Sequence, residues 1–291
     1  MENSEASAFL EAFINDCRFR NLREKTISEY KWYLEYIQNN VGDLLEIDRQ
    51  AIKDMAVSRI NSGLKATTVN HYIKAIKVFY SFLEREEYIE NNPMEKLRKI
   101  PEPKIVKPVL DVSQISKLLK QIPIRGFYHL RARSMIMLMW DTAVRLNELL
   151  SIEFSDIDLQ TRTIKIKGKG RKERIVPFGS RTKNELKRYI KIWTEKQSPY
   201  LFCTRDGLKL DKRKFQDILY TYGRKIGLHV NPHLIRHSAA TFLAKSEMPA
   251  QHIQILLGHS NLNTIQRYIN QIVNQKGLQI SHRRLSPGDR L

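Results

Sequence analysis

Cysteine is scarce: Cys17 and Cys203 are the only two in 291 residues. A disulfide framework is excluded at that count, and a reduced interior is the default. Long apolar runs are missing as well. Nowhere do about 18 consecutive apolar residues occur, so no membrane-spanning helix is expected. Met1 to Ala8 carries two glutamates and none of the basic residues that open a signal peptide. No Gly-x-x-x-x-Gly-Lys-Ser/Thr loop is present to cradle a nucleotide phosphate. Internal repeats and low-complexity tracts are absent too. The expectation is a soluble, cytoplasmic protein with no membrane partner, held together by buried cores.

Acidic side chains are the other shortage, and they are short in one place. Against 50 Lys plus Arg there are 31 Asp plus Glu, a net charge of +19, and a polyanion is the usual partner of such an excess. Residues 1–100 hold 15 basic and 16 acidic side chains; residues 101–291 hold 35 and 15. A surface charged merely for solubility would not produce that asymmetry. The positive charge belongs to the second part of the chain.

At this length, with 42% hydrophobic residues, two cores are affordable. Four of the ten prolines, Pro93, Pro101, Pro103 and Pro108, cluster in a short stretch. Proline restricts itself and the preceding residue to extended geometry, so residues 98–108 read as a stiff linker between domains 1–97 and 109–291. The first domain reads as helices only. One spans about Glu5 to Phe19. In the next, Thr26 to Glu29 forms a capping box ahead of Tyr30, Tyr33, Leu34 and Ile37. Asp48 caps a third helix that ends near Gly63, and Thr67 or Thr68 opens a fourth with Val69, Tyr72, Ile76, Phe79 and Leu83. Aromatics at this spacing are core rather than base-stacking platforms. Lys65, Lys74 and Lys77 are the local positions that could meet phosphate.

The second domain mixes types. Asp111 with Gln114 marks a helix start, and Met135 to Trp140 is a buried apolar run leading into Thr142-Ala143-Val144-Arg145-Leu146-Asn147-Glu148. Thr163 to Lys167 alternates with period two, and a second run covers Arg174 to Phe178. With Gly168-Lys169-Gly170 between them, these read as a hairpin. Helices follow at about 180–196, 211–226, 233–246 and 250–257, with a short strand at Tyr200 to Cys203. The fold class is mainly α with a small β-sheet.

Six side chains carry the chemistry: Arg145, Lys169, His233, Arg236, His259 and Tyr268, spread over 124 positions, the last four within 36. A dianionic phosphorane needs several fixed donors on its equatorial oxygens and one oxygen nucleophile in line. Two guanidiniums, two imidazoles, an ammonium and a phenol answer that description. Tyr268 is the only tyrosine after Tyr222. The order of these residues, the intervals of 3, 23 and 9, and the strings Pro232-His233-Leu234-Ile235-Arg236-His237 and Leu256-Leu257-Gly258-His259-Ser260 resemble the tyrosine recombinase (phage integrase) family. The compact Xer-type members are the nearest in pattern.

Singly, each residue has a plainer explanation. Arg145 and Glu148 could be an ordinary helix-surface ion pair. Lys169 lies among Lys165, Lys167, Arg171, Lys172 and Arg174, and a basic hairpin is most often a non-specific phosphate contact. His233 and His237, with His229, could be half of a metal site, but no Glu follows His233 and no carboxylate or Cys cluster completes a ligand set. His259 could be satisfied by backbone at a helix end. Tyr268 could pack with Ile265 and Ile269.

The resemblance implies more than the residues alone. In the family, an arginine in a Thr-Gly-x-Arg-x-x-Glu string binds a non-bridging phosphate oxygen, and the string here matches except that Ala143 replaces glycine. It implies a SAM-like helical core-binding domain that clamps DNA, followed by a catalytic domain with a C-terminal tail. Arg145 and Arg236 would hold the non-bridging oxygens with His259 as a further donor. His233 would assist proton transfer from Tyr268, and Lys169, or its competitor Lys167, would protonate the leaving 5′-oxygen. A phenol nucleophile stores the bond energy covalently, so no cofactor and no metal are expected. The partner is double-stranded DNA, bound as a homo-tetramer or as a hetero-tetramer with a related recombinase. The tail after Tyr268, with Ile272, Val273, Leu278 and Ile280, would dock in a neighbouring subunit. The chain begins directly with the core-binding helices, and no arm-binding domain is expected. A non-enzymatic architectural DNA-binding protein would leave Tyr268 dispensable. A metal-dependent transposase or nuclease would need two or three convergent carboxylates.

Overall fold

Asp48 and Asp111 show how local chemistry sets the element boundaries. In the computed structural model, which describes residues 3–103, 108–168, 173–193, 198–246, 248–258 and 275–291, each of these carboxylates caps the helix that follows. Asp48 accepts from the Ala51 N–H at 2.7 Å. Asp111 accepts from Gln114 N–H at 2.7 Å while the Gln114 side chain accepts from Asp111 N–H at 3.0 Å. These bonds satisfy amide donors that a helix start leaves orphaned. The chain forms two compact units, residues 1–106 and 107–291.

The first unit holds α1 (Asn3–Phe19), α2 (Glu24–Asn40), α3 (Arg49–Asn61) and α4 (Ala66–Arg85). Its core is aromatic and aliphatic: Phe13, Leu34, Ile37, Ile52, Ile76, Phe79 and Leu83 are fully buried, at about 1.5–3 kcal/mol for each large side chain. Phe13 meets Phe79 edge-on with centroids 5.6 Å apart. Two expected helix starts are corrected. The Thr26–Glu29 capping box does not form, because α2 begins at Glu24 and Thr26 already donates its amide to the Arg23 carbonyl at 2.8 Å. Likewise α4 begins at Ala66 behind Lys65, with neither Thr67 nor Thr68 as its cap. Asn70 fastens the segment beyond α4, accepting from Ile100 N–H at 2.8 Å and donating to Glu102 at 2.8 Å. Lys77 donates to the carbonyls of Glu95 and Leu97 at 3.0 and 2.7 Å, which commits two of its three N–H donors to structure.

The second unit is built on α6 (Phe127–Thr142), in which Met135 to Trp140 are all buried. α5 (Val112–Lys120) precedes it, and the single turn α7 (Leu146–Leu149) follows. A three-stranded antiparallel sheet comes next, in the order β1 (Ile157–Asp158), β2 (Thr163–Lys167), β3 (Glu173–Pro177). The expected hairpin is there, with Ile164 opposite Val176, Ile166 opposite Arg174, and Lys167 opposite Glu173. Strand β1 was not expected, being only two residues long. The strand expected at Tyr200 to Cys203 is not formed; Tyr200 and Cys203 make isolated bridges to Glu153 and Lys209. α8 (Ser180–Trp193), α9 (Lys212–Arg224), α10 (Pro232–Lys245), α11 (Ala250–Leu257) and α12 (Gln275–Leu285) complete the unit. Among the described residues no helix is long and apolar enough to cross a membrane.

Asp141, wholly buried at the end of α6, gathers the C-terminal residues. Its carboxylate accepts from Gly179 N–H (2.5 Å), Thr182 Oγ1 (2.8 Å) and Ser286 Oγ (2.5 Å). Its backbone carbonyl lies 2.8 Å from His282 Nε2, and a carbonyl can only accept, so Nε2 carries the proton. The last residues of the chain therefore fold onto α6 and α8 of their own unit. Of the tail residues expected to dock elsewhere, Ile280 is exposed, while the side chains of Ile272, Val273 and Leu278 lie outside the described residues.

Candidate active site

Arg145 is placed by a turn that glycine would make easily. α6 ends at Thr142, and Ala143 adopts the left-handed conformation, φ 51°, at a cost of about 1–2 kcal/mol for an L-residue. Its side chain is fully buried, which offsets part of that. The turn thus survives the replacement of glycine by Ala143, and Arg145 emerges as the residue capping α7. One turn on, Glu148 is buried and accepts from the Arg145 backbone N–H at 2.9 Å and from Arg145 Nη1 at 3.1 Å. The ordinary ion pair is present. Glu148 does more, however, for it also receives both terminal nitrogens of Arg174, at 3.1 and 2.8 Å. Burial pushes the Glu148 pKa up, but the Arg174 and Arg145 hydrogen bonds and charges outweigh it and hold the carboxyl below its usual range.

α10 supplies His233 and Arg236. Asn231 caps it, accepting from Leu234 N–H at 2.9 Å, and Pro232 takes the first helical position, where its missing N–H costs nothing. His233 is exposed and stands three residues before Arg236, on the same helix face. Arg236 is half-buried. Its guanidinium donates to the Ala143 carbonyl and, at 2.9 Å, to the Leu257 carbonyl. Burial above all, then the neighbouring Arg145 and Arg174, lowers its pKa to about 10, with Glu148 opposing; it is still a cation at neutral pH. Arg236 thus ties together two turns, one leading into Arg145 and one leading towards His259.

That second turn ends α11. Gly258 has φ 60°, and the two carbonyls before it are taken by cations, Leu256 by Arg174 Nε at 3.1 Å and Leu257 by Arg236. Cations at the carbonyl end of a helix also meet its negative dipole. Lys169, His259 and Tyr268 lie outside the described residues. Among the described ones, the structure brings Arg145, Arg174, Arg236 and Glu148 together, with His233 one turn from Arg236. Three guanidiniums against one carboxylate leave a positive excess suited to a phosphate. Among the described residues Arg145 makes one side-chain bond, through Nη1 to Glu148.

The hairpin lysines read differently once placed. Lys167 lies 3.1 Å from Glu153 and 3.6 Å from Asp156, and Lys165 lies 3.5 Å from Asp156. The hydrogen bond to Glu153 raises the Lys167 pKa. Arg174, grouped with the surface phosphate contacts on sequence, instead points inward. Its parity with Val176 on β3 was the signal that sequence reasoning passed over. Asp141 was missed because its partners stand 38 to 147 residues away in the chain. No group of three or more His, Cys, Asp or Glu that could hold a metal ion occurs among the described residues.

Comparison with known proteins agrees with this geometry. The Phage integrase family matches residues 108–275, and the Phage integrase N-terminal SAM-like domain matches residues 9–87. The chain belongs to the phage integrase family. It is 30% identical over 275 residues to the tyrosine recombinase XerD of Staphylococcus haemolyticus, covering 88% of this chain and 93% of that protein. It is 32% identical over 262 residues to the tyrosine recombinase XerC of Psychromonas ingrahamii, covering 86% of each. Two solved structures share the fold. One is the Tn1549 transposon integrase in complex with a circular-intermediate DNA (18% identity, TM-score 0.72, 90% of this chain and 93% of that one). The other is the XerH site-specific recombinase bound to a palindromic difH substrate (24% identity, TM-score 0.70, 90% and 80%). Membership makes this phage integrase family protein an enzyme of site-specific DNA recombination.

Proposed function

We propose that this recombinase cleaves and rejoins double-stranded DNA through a covalent 3′-phosphotyrosyl intermediate on Tyr268. The observation that carries the reading is the double tether made by Arg236 to the carbonyls of Ala143 and Leu257, which brings the approaches to Arg145 and His259 to one guanidinium. Arg145 and Arg236 hold the non-bridging oxygens, joined by His259, and their charge is matched to the dianionic transition state. The Tyr268 oxygen attacks phosphorus, its proton passing to His233. The bond from phosphorus to the 5′-oxygen breaks, and Lys169 protonates that oxygen. Rejoining runs in reverse: a 5′-hydroxyl attacks the phosphotyrosine, and the phenol leaves. No external energy source enters, because one phosphoester replaces another.

The net positive charge of residues 101–291 supplies phosphate attraction, with residues 109–291 catalytic and residues 1–97 closing over the duplex as the family's core-binding domain. Exchange between two sites uses four protomers, identical or shared with a related recombinase, and takes place in the cytoplasm. Relatives named for their action on DNA support this reading. The test selects bound duplexes from a randomised pool, places nicks across the selected sequence, and looks for a denaturation-resistant protein–DNA adduct in excess chelator. Wild type forms the adduct; Tyr268→Phe binds the duplex and forms none. An adduct with Tyr268→Phe would show that the nucleophile is another residue.

A further inference from the structure

One cation of this site is left without a role by the proposed chemistry. Arg174 sits on β3 directly opposite the buried Ile166, and cross-strand partners project to the same face of a sheet. Its side chain is 13% exposed, too enclosed to serve as a surface phosphate contact. Every nitrogen of its guanidinium is engaged: Nη1 and Nη2 fork onto Glu148, and Nε donates to the Leu256 carbonyl. The backbone of Gly258 lies against the same plane, so that a Cβ there would come within 2.7 Å of Nη1. Glu148, gripped on one side by this fork, holds Arg145 on the other. The α11 terminus, gripped by Nε, runs through Gly258 into His259.

We propose that Arg174 is a positioning residue that registers the two halves of the phosphate site, Arg145 through Glu148 and the turn before His259 through the Leu256 carbonyl. As to what the site is for, the proposal rests on the tyrosine-recombinase reading above. Only an arginine satisfies it. A lysine keeps the charge but is a single-point donor and cannot fork onto a carboxylate while also reaching a carbonyl. A site slackened by even a fraction of an ångström loses rate rather than affinity.

Arg174→Lys is the decisive variant, in the full-length chain. Two readouts are taken. The first is nitrogen-15 NMR of the arginine side chains, in which the Arg145 guanidinium, pinned by Glu148, shows slow rotation in wild type and averaged signals in Arg174→Lys. The second is single-turnover cleavage of the nicked duplex, which falls about 10-fold or more, while duplex affinity stays within about twofold because a buried cation contributes little to phosphate contact. Millimolar methylguanidinium restores part of the rate to Arg174→Ala. Unchanged Arg145 signals, or a cleavage rate equal to wild type, would overturn the proposal. Should wild type cleave no duplex, the recombinase mechanism fails, and the NMR comparison still decides whether Arg174 positions Arg145. If Arg174→Lys does not fold, Arg174→Gln, which leaves Glu148 and Arg145 in place but removes the fork between Arg174 and Glu148, is read by the same NMR signals.

Discussion

Glu148 is where charge and burial meet most sharply, and its titration makes the arrangement measurable. Buried beside Arg145 and Arg174, it has a folded-state pKa below its unfolded value of 4.5. A depressed carboxylate contributes its full stabilisation above that value and loses it as pH falls through the folded pKa. Glu148→Gln keeps the shape and one acceptor but cannot titrate. At neutral pH the variant should therefore be less stable than wild type by about 1–3 kcal/mol, and the gap should narrow as pH falls below 4.5 and through the lowered folded-state pKa of Glu148. Denaturant unfolding across that range checks it; a gap constant with pH would show that Glu148 is not held as an ion pair. At this scale legibility followed locality. Asp48 and Asp111 were readable as caps because their partners are three residues away. Thr26 was misread because the helix had already begun when the chain reached it. Ala143 could be aligned with a glycine, but that an alanine would accept the left-handed turn needed the buried surroundings of its side chain.

The hairpin is the element on which sequence and structure disagree most usefully. Its alternation was legible because Ile164 and Ile166 keep the core face. The basic residues beside them looked alike on paper. In the fold Lys165 and Lys167 face acidic partners on one side, while Arg174 occupies the core side with Glu148. Lys167 is held by Glu153 and Asp156, with its pKa raised, and the proton transfer is proposed for Lys169. Lys169→Ala should lose cleavage by a factor on the order of 100 or more, the scale of a positioned general acid, with affinity for DNA nearly unchanged. A substrate with sulfur at the bridging 5′ position needs no proton on its leaving group. On it Lys169→Ala should cleave almost as fast as wild type, while Arg145→Ala stays slow. Rescue of Lys167→Ala instead would move the acid two residues along the strand. Short elements were the least legible: β1 has two residues, and Tyr200 to Cys203, apolar enough for a strand, makes only isolated bridges among the described residues.

At the scale of the whole chain, the mainly helical class and the small sheet followed from periodicity, since helices of 13 to 20 residues such as α3 and α4 repeat their apolar positions many times. Long-range joins did not. Nothing in the sequence near Asp141 announces that it will hold Ser286, and nothing near Arg236 announces the carbonyl of Leu257. The spacing of Arg145, His233 and Arg236 pointed to one site without saying what fixes it; the structure supplies the tethers. Lys169, His259 and Tyr268 stand on spacing and on family membership, so the central claim turns on the last of them. The most direct measurement is the chemistry of the adduct itself. After nuclease and protease digestion, tandem mass spectrometry should find a nucleotide phosphate on the peptide containing Tyr268, attached through the DNA 3′ end. The other DNA end should accept radiolabel from a polynucleotide kinase without prior phosphatase treatment, as a free 5′-hydroxyl does. Phosphate on any other residue, or a 5′-phosphate at the cut, would contradict the account.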